Sequence, residues 1–161
     1  MIKNLLQHVS TIPNCIVKFP SLLPMLEEGH SMPTDLLEFY ELCGGIIFYS
    51  NSLYTIEIVP PNEFLLANPV ILGQRYDDDI SSDWYIVAKS GSEQLITIDM
   101  NKERLGRCYD SFYDRHGIVG SCPVVATSFT DLLERVIENQ GKYWYWLSKD
   151  FVSLGDAYDR N

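Results

Sequence analysis

The residue types that most often perform chemistry are concentrated in one short segment, CYDSFYDRHG at positions 108–117. A thiol near an imidazole and a carboxylate could act as a nucleophile, which Cys108, Asp110, Asp114 and His116 would supply. Their spacing matches no catalytic motif we know, and Cys108 lies in a predicted strand, where a cysteine usually packs as a small apolar side chain. We interpret the segment as a packed cysteine followed by a polar loop, and we expect no catalytic residues and no enzyme activity.

Possible metal ligands are scattered along the chain. His8, His30 and His116 are far apart, and neither an H-x-x-x-H motif nor a C-x-x-C pair accompanies them. The run Asp77–Asp79 lacks the glycine and the distal glutamate of a calcium loop. The segments GSEQ and NKERLG are not phosphate loops, because no glycine-rich turn leads into a helix that carries a lysine. We therefore expect no metal and no other cofactor.

Acidic and aromatic residues are combined in the segment RYDDDISSDWY, and this combination favours binding of a partner. Its candidate partner-binding residues are Tyr76, Asp77, Asp78, Asp79, Asp83, Trp84 and Tyr85. Aromatic side chains often anchor protein interfaces, and carboxylates accelerate association with a basic partner. Such a surface could mimic a polyanion and cover a basic cleft. The alternative is an exposed loop before a strand whose Trp84 belongs to the core.

The clearest element near these segments is a helix in MPTDLLEFYELCGG. Pro33 fits its first turn, where a missing N–H has no cost, and Asp35 favours the positive end of the helix. Its apolar stripe has the spacing i, i+3, i+4, i+7 and consists of Leu36, Phe39, Tyr40 and Cys43. Gly44 is predicted to end the helix in the left-handed conformation, and Gly45 to let the chain reverse closely against it.

A second helix is predicted in SFTDLLERVIENQG, with Ser128 as the N-cap and Phe129 as the first residue of the apolar stripe. Between the two helices, alternating or apolar runs predict strands in GIIFYS, LYTIEIV, WYIVAKS, LITIDM and RLGRCYDS, and PVVATS adds another. This order predicts an α+β fold with a mostly antiparallel central sheet flanked by helices. We expect a single domain over residues 1–161, with a helix near the N-terminus and the C-terminal tail packed on it.

Four adjacent aromatic residues occupy positions 143–146, in the segment KYWYWL. Neighbouring residues of a strand point to opposite sides, and those of a helix spread around its axis, so all four cannot face one core. Either some of this aromatic surface meets another chain, or the tail at 148–161 folds back over it. We favour the tail.

The composition narrows the classes of partner. The chain of 161 residues has a net charge of −10, which would repel nucleic acid and attract a basic protein, although excess acid also simply confers solubility. No secretory leader and no run long enough to span a bilayer is evident, so we expect a cytoplasmic protein that does not bind membranes. A reducing compartment also fits four scattered cysteines, which are expected to be free: Cys15, Cys43, Cys108 and Cys122.

Three segments, in order, resemble the SUKH superfamily, the Smi/Knr-like proteins. MPTDLLEFYELCGG resembles the family's Leu-Pro, helix and glycine-pair motif, with Met32 in place of the leucine and Pro33, Gly44 and Gly45 in the motif positions. WYIVAKSGSEQLITIDMNKERLGRCYD resembles its strand-turn-strand block. ATSFTDLLERVI resembles its final helix, which places Phe129 in the motif. The resemblance covers about residues 31–138.

This resemblance implies a function as well as a fold. Bacterial SUKH proteins are largely immunity proteins that neutralise polymorphic toxins, often nucleases or deaminases, whereas the fungal relatives are cell-wall regulators. The family has an α+β fold and no established catalytic residues. We therefore expect a cytosolic immunity protein that binds a cognate toxin with a basic surface. The alternatives are a regulatory or scaffold module and, after these, a small-ligand domain or an enzyme.

Overall fold

A seven-stranded sheet is the central element of the computed structural model, which describes residues 1–160. The strands are β1 (Ile16–Val17), β2 (Ile46–Phe48), β3 (Ile56–Ile58), β4 (Trp84–Ser90), β5 (Gln94–Asp99), β6 (Cys108–Asp110) and β7 (Val124–Ala126). The α-helices in the described residues are α1 (Ile2–Val9), α2 (Thr34–Leu42), α3 (Ala67–Leu72) and α4 (Phe129–Asn139). Single turns of 3-10 helix cover Pro61–Glu63, Ile80–Asp83 and Tyr145–Leu147.

The strands lie in the sheet in their sequence order, and every neighbouring pair is antiparallel. Antiparallel neighbours can be joined by short turns, as β4 and β5 are, whereas parallel neighbours would need long crossover connections. The α+β fold with an antiparallel central sheet, expected from the order of the sequence patterns, is confirmed.

The two faces of the sheet differ in polarity. On one face, cross-strand neighbours are buried apolar side chains: Ile46, Ile58, Ala88 and Ile96. Their counterparts on the other face include an acid and a base: Ile47, Glu57, Lys89 and Leu95. The apolar face belongs to the core that also contains the buried stripes of α1, α2 and α4, which pack against one another. The other face keeps polar side chains that can meet solvent or a partner.

The end of α2 differs from the prediction in one respect. Gly45, with φ 128°, takes the left-handed region expected at Gly44, and Cys43 is already extended. Gly44 is required for a different reason, because a Cβ there would lie 2.3 Å from the carbonyl oxygen of Phe19. Both glycines therefore allow the segment before β2 to run close to other backbone, and Gly44 does not act as a left-handed cap.

Helix α2 is joined to α4 by polar and aromatic contacts. Pro33 precedes the first helical residue, and its carbonyl accepts the hydrogen bond from Leu37. The Asp35 carboxylate accepts hydrogen bonds at 2.8 Å from both the backbone N–H and the hydroxyl of Thr130, in the first turn of α4. Phe129 packs edge-on against Phe39, with 4.9 Å between the ring centroids. The motif residues at both ends of the resemblance thus meet in one helix pair.

The C-terminal tail covers one edge of the sheet. Val124 donates a backbone hydrogen bond to Gly155, and Ala157 donates one to Cys122, both at 2.9 Å. Phe151, also in the tail, packs against Tyr145, with 5.7 Å between the ring centroids. The aromatic segment is divided, since Trp144 and Trp146 are buried while Tyr143 is 51% exposed.

Candidate binding surface

The loop that follows α3 carries the exposed part of the predicted binding residues. α3 ends at Gly73, whose φ of 79° turns the chain out of the helix. The next residues run over the surface, and Tyr76, Asp77 and Asp78 are all exposed. Arg75 lies beside them and forms an ion pair with Asp77 at 3.3 Å and a second, shorter one with Glu27. We call the three exposed residues Tyr76, Asp77 and Asp78 the acidic loop.

Asp79, although adjacent in sequence, is bonded to the protein interior. Its carboxylate accepts hydrogen bonds from the backbone N–H and the hydroxyl of Ser81, and from the hydroxyl of Tyr158 in the tail at 2.7 Å. Burial alone would raise the pKa of Asp79, but the hydrogen bonds from Ser81 and Tyr158 outweigh it and lower the pKa below its usual value. Asp79 therefore anchors the acidic loop to the tail and has little capacity left for a partner.

Asp83 is also occupied by internal contacts. It faces His30 Nε2 at 2.9 Å, accepts a hydrogen bond from the Asn101 amide at 3.0 Å and lies 3.9 Å from Arg104. Burial would raise the pKa of Asp83, but the hydrogen bonds from Asn101 and His30 lower it below its usual value. This carboxylate holds the segment around His30 against the end of β5.

Trp84 and Tyr85 lie in the interior, with exposed fractions of 0% and 1%, so neither can anchor a partner as predicted. The first five residues of β4 are buried irrespective of the face to which they point. The Tyr85 ring stacks on Phe64 with 5.2 Å between the centroids, and its hydroxyl accepts a hydrogen bond from Glu27 N–H. The predicted set is thus divided into the exposed acidic loop, two carboxylates occupied by internal contacts and two core aromatic residues.

Cys108 and His116 do not form the nucleophile arrangement considered from the sequence. Cys108 Sγ lies 3.5 Å from the carbonyl oxygen of Gly106 and 4.0 Å from that of Ser128, and burial raises the pKa of its thiol well above the usual value. His116 Nε2 instead faces the Asn68 amide oxygen at 2.6 Å. A buried thiol without a base at hydrogen-bond distance stays protonated and is a poor nucleophile.

Three further features of the described residues concern metal binding, membrane spans and the cysteines. In residues 1–160, no group of three or more His, Cys, Asp or Glu side chains is placed so that it could hold a metal ion. No helix within that range is long and apolar enough to cross a membrane. All four cysteines are free.

The sequence analysis missed the exposed apolar side chains around α3. Leu65 and Val70 are 47% and 53% exposed, and Met25, which lies across a depression from them, is 89% exposed. The available signal was the composition of ANPVIL, because a short helix with apolar residues on all sides cannot bury every one of them. Leu65 and Val70 lie on the same side of the molecule as the acidic loop, because Arg75, which directly precedes that loop, lines the same depression.

Comparison with known proteins decides the family. The model of the SMI1 / KNR4 family (SUKH-1) matches residues 26–135, which is more than half of the chain. This chain belongs to the SUKH-1 family. The resemblance expected over residues 31–138 is therefore confirmed.

A curated protein is similar to this chain over almost its full length. It is named immunity protein YokJ, from Bacillus subtilis (strain 168), and it is 53% identical over 155 residues. The alignment covers 96% of this SUKH-1 chain and 94% of YokJ. No solved structure matches the chain.

Proposed function

We propose that this SUKH-1 protein is an immunity protein that neutralises a protein toxin by binding it directly. The observation that carries the proposal is the 53% identity, over 96% of the chain, to a protein named as an immunity protein. We place the protein in the cytoplasm, where it would meet a toxin delivered into the cell.

Binding in this proposal depends on shape and charge, and no bond is made or broken. The net charge of −10 would steer a basic partner toward the protein, and the exposed Asp77 and Asp78 would add a local negative potential. A toxin that acts on nucleic acid carries a basic cleft for its polyanionic substrate. We therefore propose a nuclease or a nucleic-acid deaminase as the toxin, with the acidic loop at the edge of the contact.

The test begins with the carboxyl-terminal domains of the proteins encoded by the genes adjacent to this one, each expressed alone in a bacterial host and then together with this chain. A domain that arrests growth is hereafter called the toxin domain. The toxin domain alone should arrest growth, and this chain should restore growth and co-purify with it. Continued arrest while both proteins accumulate in soluble form would contradict the proposal.

A pair of charge-reversal variants tests the acidic loop. Asp77→Lys/Asp78→Lys should reduce the association rate by about tenfold, because attraction between opposite charges sets that rate. The control, Glu134→Lys/Asp150→Lys, makes the same change in net charge at two exposed acids outside the loop. Equal association rates for the two variants would remove the acidic loop from the interface.

A further inference from the structure

Two open depressions run side by side along α3. The first, of ≈ 430 Å³, is lined by Met25, Leu65, Val70 and Arg75 among others. The second, of ≈ 450 Å³, shares Leu65 and Val70 with the first and extends over β4 and β5 to Leu95. Because they share these side chains, they form one continuous surface, which we call the α3 groove.

The centre of the α3 groove is apolar and exposed. Met25, Val70 and Leu65 expose 89%, 53% and 47% of their surface, and Pro69 between them is exposed as well. Single exposed apolar residues are normal on a soluble protein, but a contiguous group bordered by polar residues is typical of an interaction site. A small ligand is usually enclosed on most of its surface, which these open depressions do not provide. Their form suits a protruding part of a macromolecule.

The border of the groove is predominantly acidic. The carboxylates that line it are Glu27, Glu57 and Glu63, and Asp77 on the acidic loop lies beside it, paired with the lining residue Arg75. In the described residues, Arg75 and Lys89 are the only cations that line these depressions, and they pair with Glu27, Asp77 and Glu63. Glu57 pairs with Lys18 at 2.7 Å, so three cations balance part of the charge of these four carboxylates.

Two acids beside this border add to the negative excess. Asp78 and Glu28 are adjacent in sequence to Asp77 and Glu27, and both are exposed. Both lie outside the ion pairs that Arg75 makes with Glu27 and Asp77. The groove therefore presents an apolar centre inside a border with more negative than positive charge.

The sign of this border selects among the possible occupants. A second copy of the chain, related by a twofold axis, would bring the same acidic border against itself, and like charges across an interface are strongly unfavourable. Nucleic acid and anionic membranes would be repelled in the same way. A protein surface with the opposite pattern, an apolar protrusion flanked by Lys and Arg, matches both parts of the groove.

We infer that the α3 groove is the central docking surface of this protein, and that it receives an apolar protrusion of the toxin flanked by basic side chains. This inference rests on the proposed function and adds the location and chemistry of the contact. Interfaces typically have an apolar centre that supplies most of the affinity and a polar border that excludes water. Here Met25, Leu65 and Val70 form the centre, and the acidic loop forms part of the border.

The test uses lysine substitutions at exposed apolar positions and the purified toxin domain defined above. Val70→Lys and Met25→Lys place a cation in the centre of the groove. The matched control is Val152→Lys, a valine that is 81% exposed and lines neither depression. Each variant changes the net charge equally, and all three positions are exposed enough for the fold to be retained, which thermal unfolding checks directly.

Each groove variant should weaken binding of the toxin domain by at least about 30-fold, as loss of a central anchor does. Val152→Lys should remain within about threefold of the wild-type affinity. Wild-type affinity in Val70→Lys and Met25→Lys, with the toxin domain still bound, would overturn the inference and leave the proposed function intact. Failure of the wild-type chain itself to bind would contradict the proposed function. If instead the wild type is a dimer and the groove variants are monomers, the occupant is a second copy and the inference is wrong.

Discussion

Buried and partly buried polar side chains connect four separate parts of the chain next to the acidic loop. Asn68 on α3 donates its amide N–H to the Ser81 hydroxyl at 3.0 Å, and Ser81 donates to Asp79, which also accepts from Tyr158 in the tail. Since the Asn68 amide nitrogen is used as a donor, its oxygen is the acceptor for His116 Nε2, which therefore carries the proton. These hydrogen bonds thus hold α3, which precedes the acidic loop, and Asp79, which directly follows it.

This arrangement keeps His116 neutral. Its Nδ1 atom is buried and has no hydrogen-bond partner in the described part of the chain, so a second proton would create an unpaired buried charge. Burial accordingly lowers the pKa of His116 to about 4. An unfolded histidine has a pKa of about 6.5, so below that pH the unfolded chain binds a proton that the folded chain does not.

We therefore predict that His116 makes the protein less stable in mild acid. The contribution of His116 should be constant above about pH 7 and fall by about 3 kcal/mol between about pH 6.5 and pH 4. The comparison is between wild type and His116→Gln, in which an amide can replace the N–H donor, with urea unfolding measured across this range. The difference isolates His116 from Asp99 and Asp110, whose burial-raised pKa values act in the opposite direction. Parallel stability curves for the two proteins would contradict the prediction.

At the scale of elements, the glycine pair after α2 sets the close approach between α2, the segment after β1 and the start of β2. Gly44 lies against the backbone of Phe19, whereas Gly45 combines a left-handed φ with a Cβ position 2.7 Å from the carbonyl oxygen of Ile58. Both obstacles are backbone atoms, which cannot move aside without disturbing the sheet. The motif therefore marks a packing requirement, and it does not identify a binding site.

We predict that Gly44→Ala and Gly45→Ala each lower the free energy of unfolding by about 3 kcal/mol or more, because the added methyl group collides with backbone. The matched control is Gly73→Ala, where φ is 79° but no atom lies within 4 Å of the new Cβ. That variant should lose only about 1 kcal/mol, from backbone strain alone. Urea unfolding at neutral pH measures all three, and wild-type stability of Gly44→Ala would show that the segment can move.

The elements predicted from the sequence were those with a strong local pattern. The stripe of α2, the Ser128 cap of α4 and the apolar runs of β4 and β5 are each set by residues within one segment. The strand predicted in RLGRCYDS is shorter than expected, because Gly106, with φ 88°, turns the chain until just before β6 begins at Cys108. Whether a glycine within a strand-like pattern adopts a positive φ depends on tertiary packing, and the sequence pattern carries no information about that packing.

At the scale of the whole molecule, the sequence predicts an excess of negative charge and only part of the proposed binding surface. Trp84 and Tyr85 were assigned to the interface, yet β4 is buried on both sides by elements that are distant in sequence. The α3 groove could not be predicted, because Met25, Leu65 and Val70 are brought together only by the fold. Charge composition is available from the sequence, whereas the position of an apolar surface requires the tertiary structure.

The central claim is that this protein acts by binding a basic toxin, and isothermal titration calorimetry of the purified chain with the purified toxin domain tests it most directly. We predict a one-to-one complex with an affinity on the order of nanomolar in about 50 mM salt, weakened by at least about tenfold in about 500 mM salt, where charge attraction is screened. No detectable binding at either salt concentration, or an affinity that does not change with salt, would contradict this account.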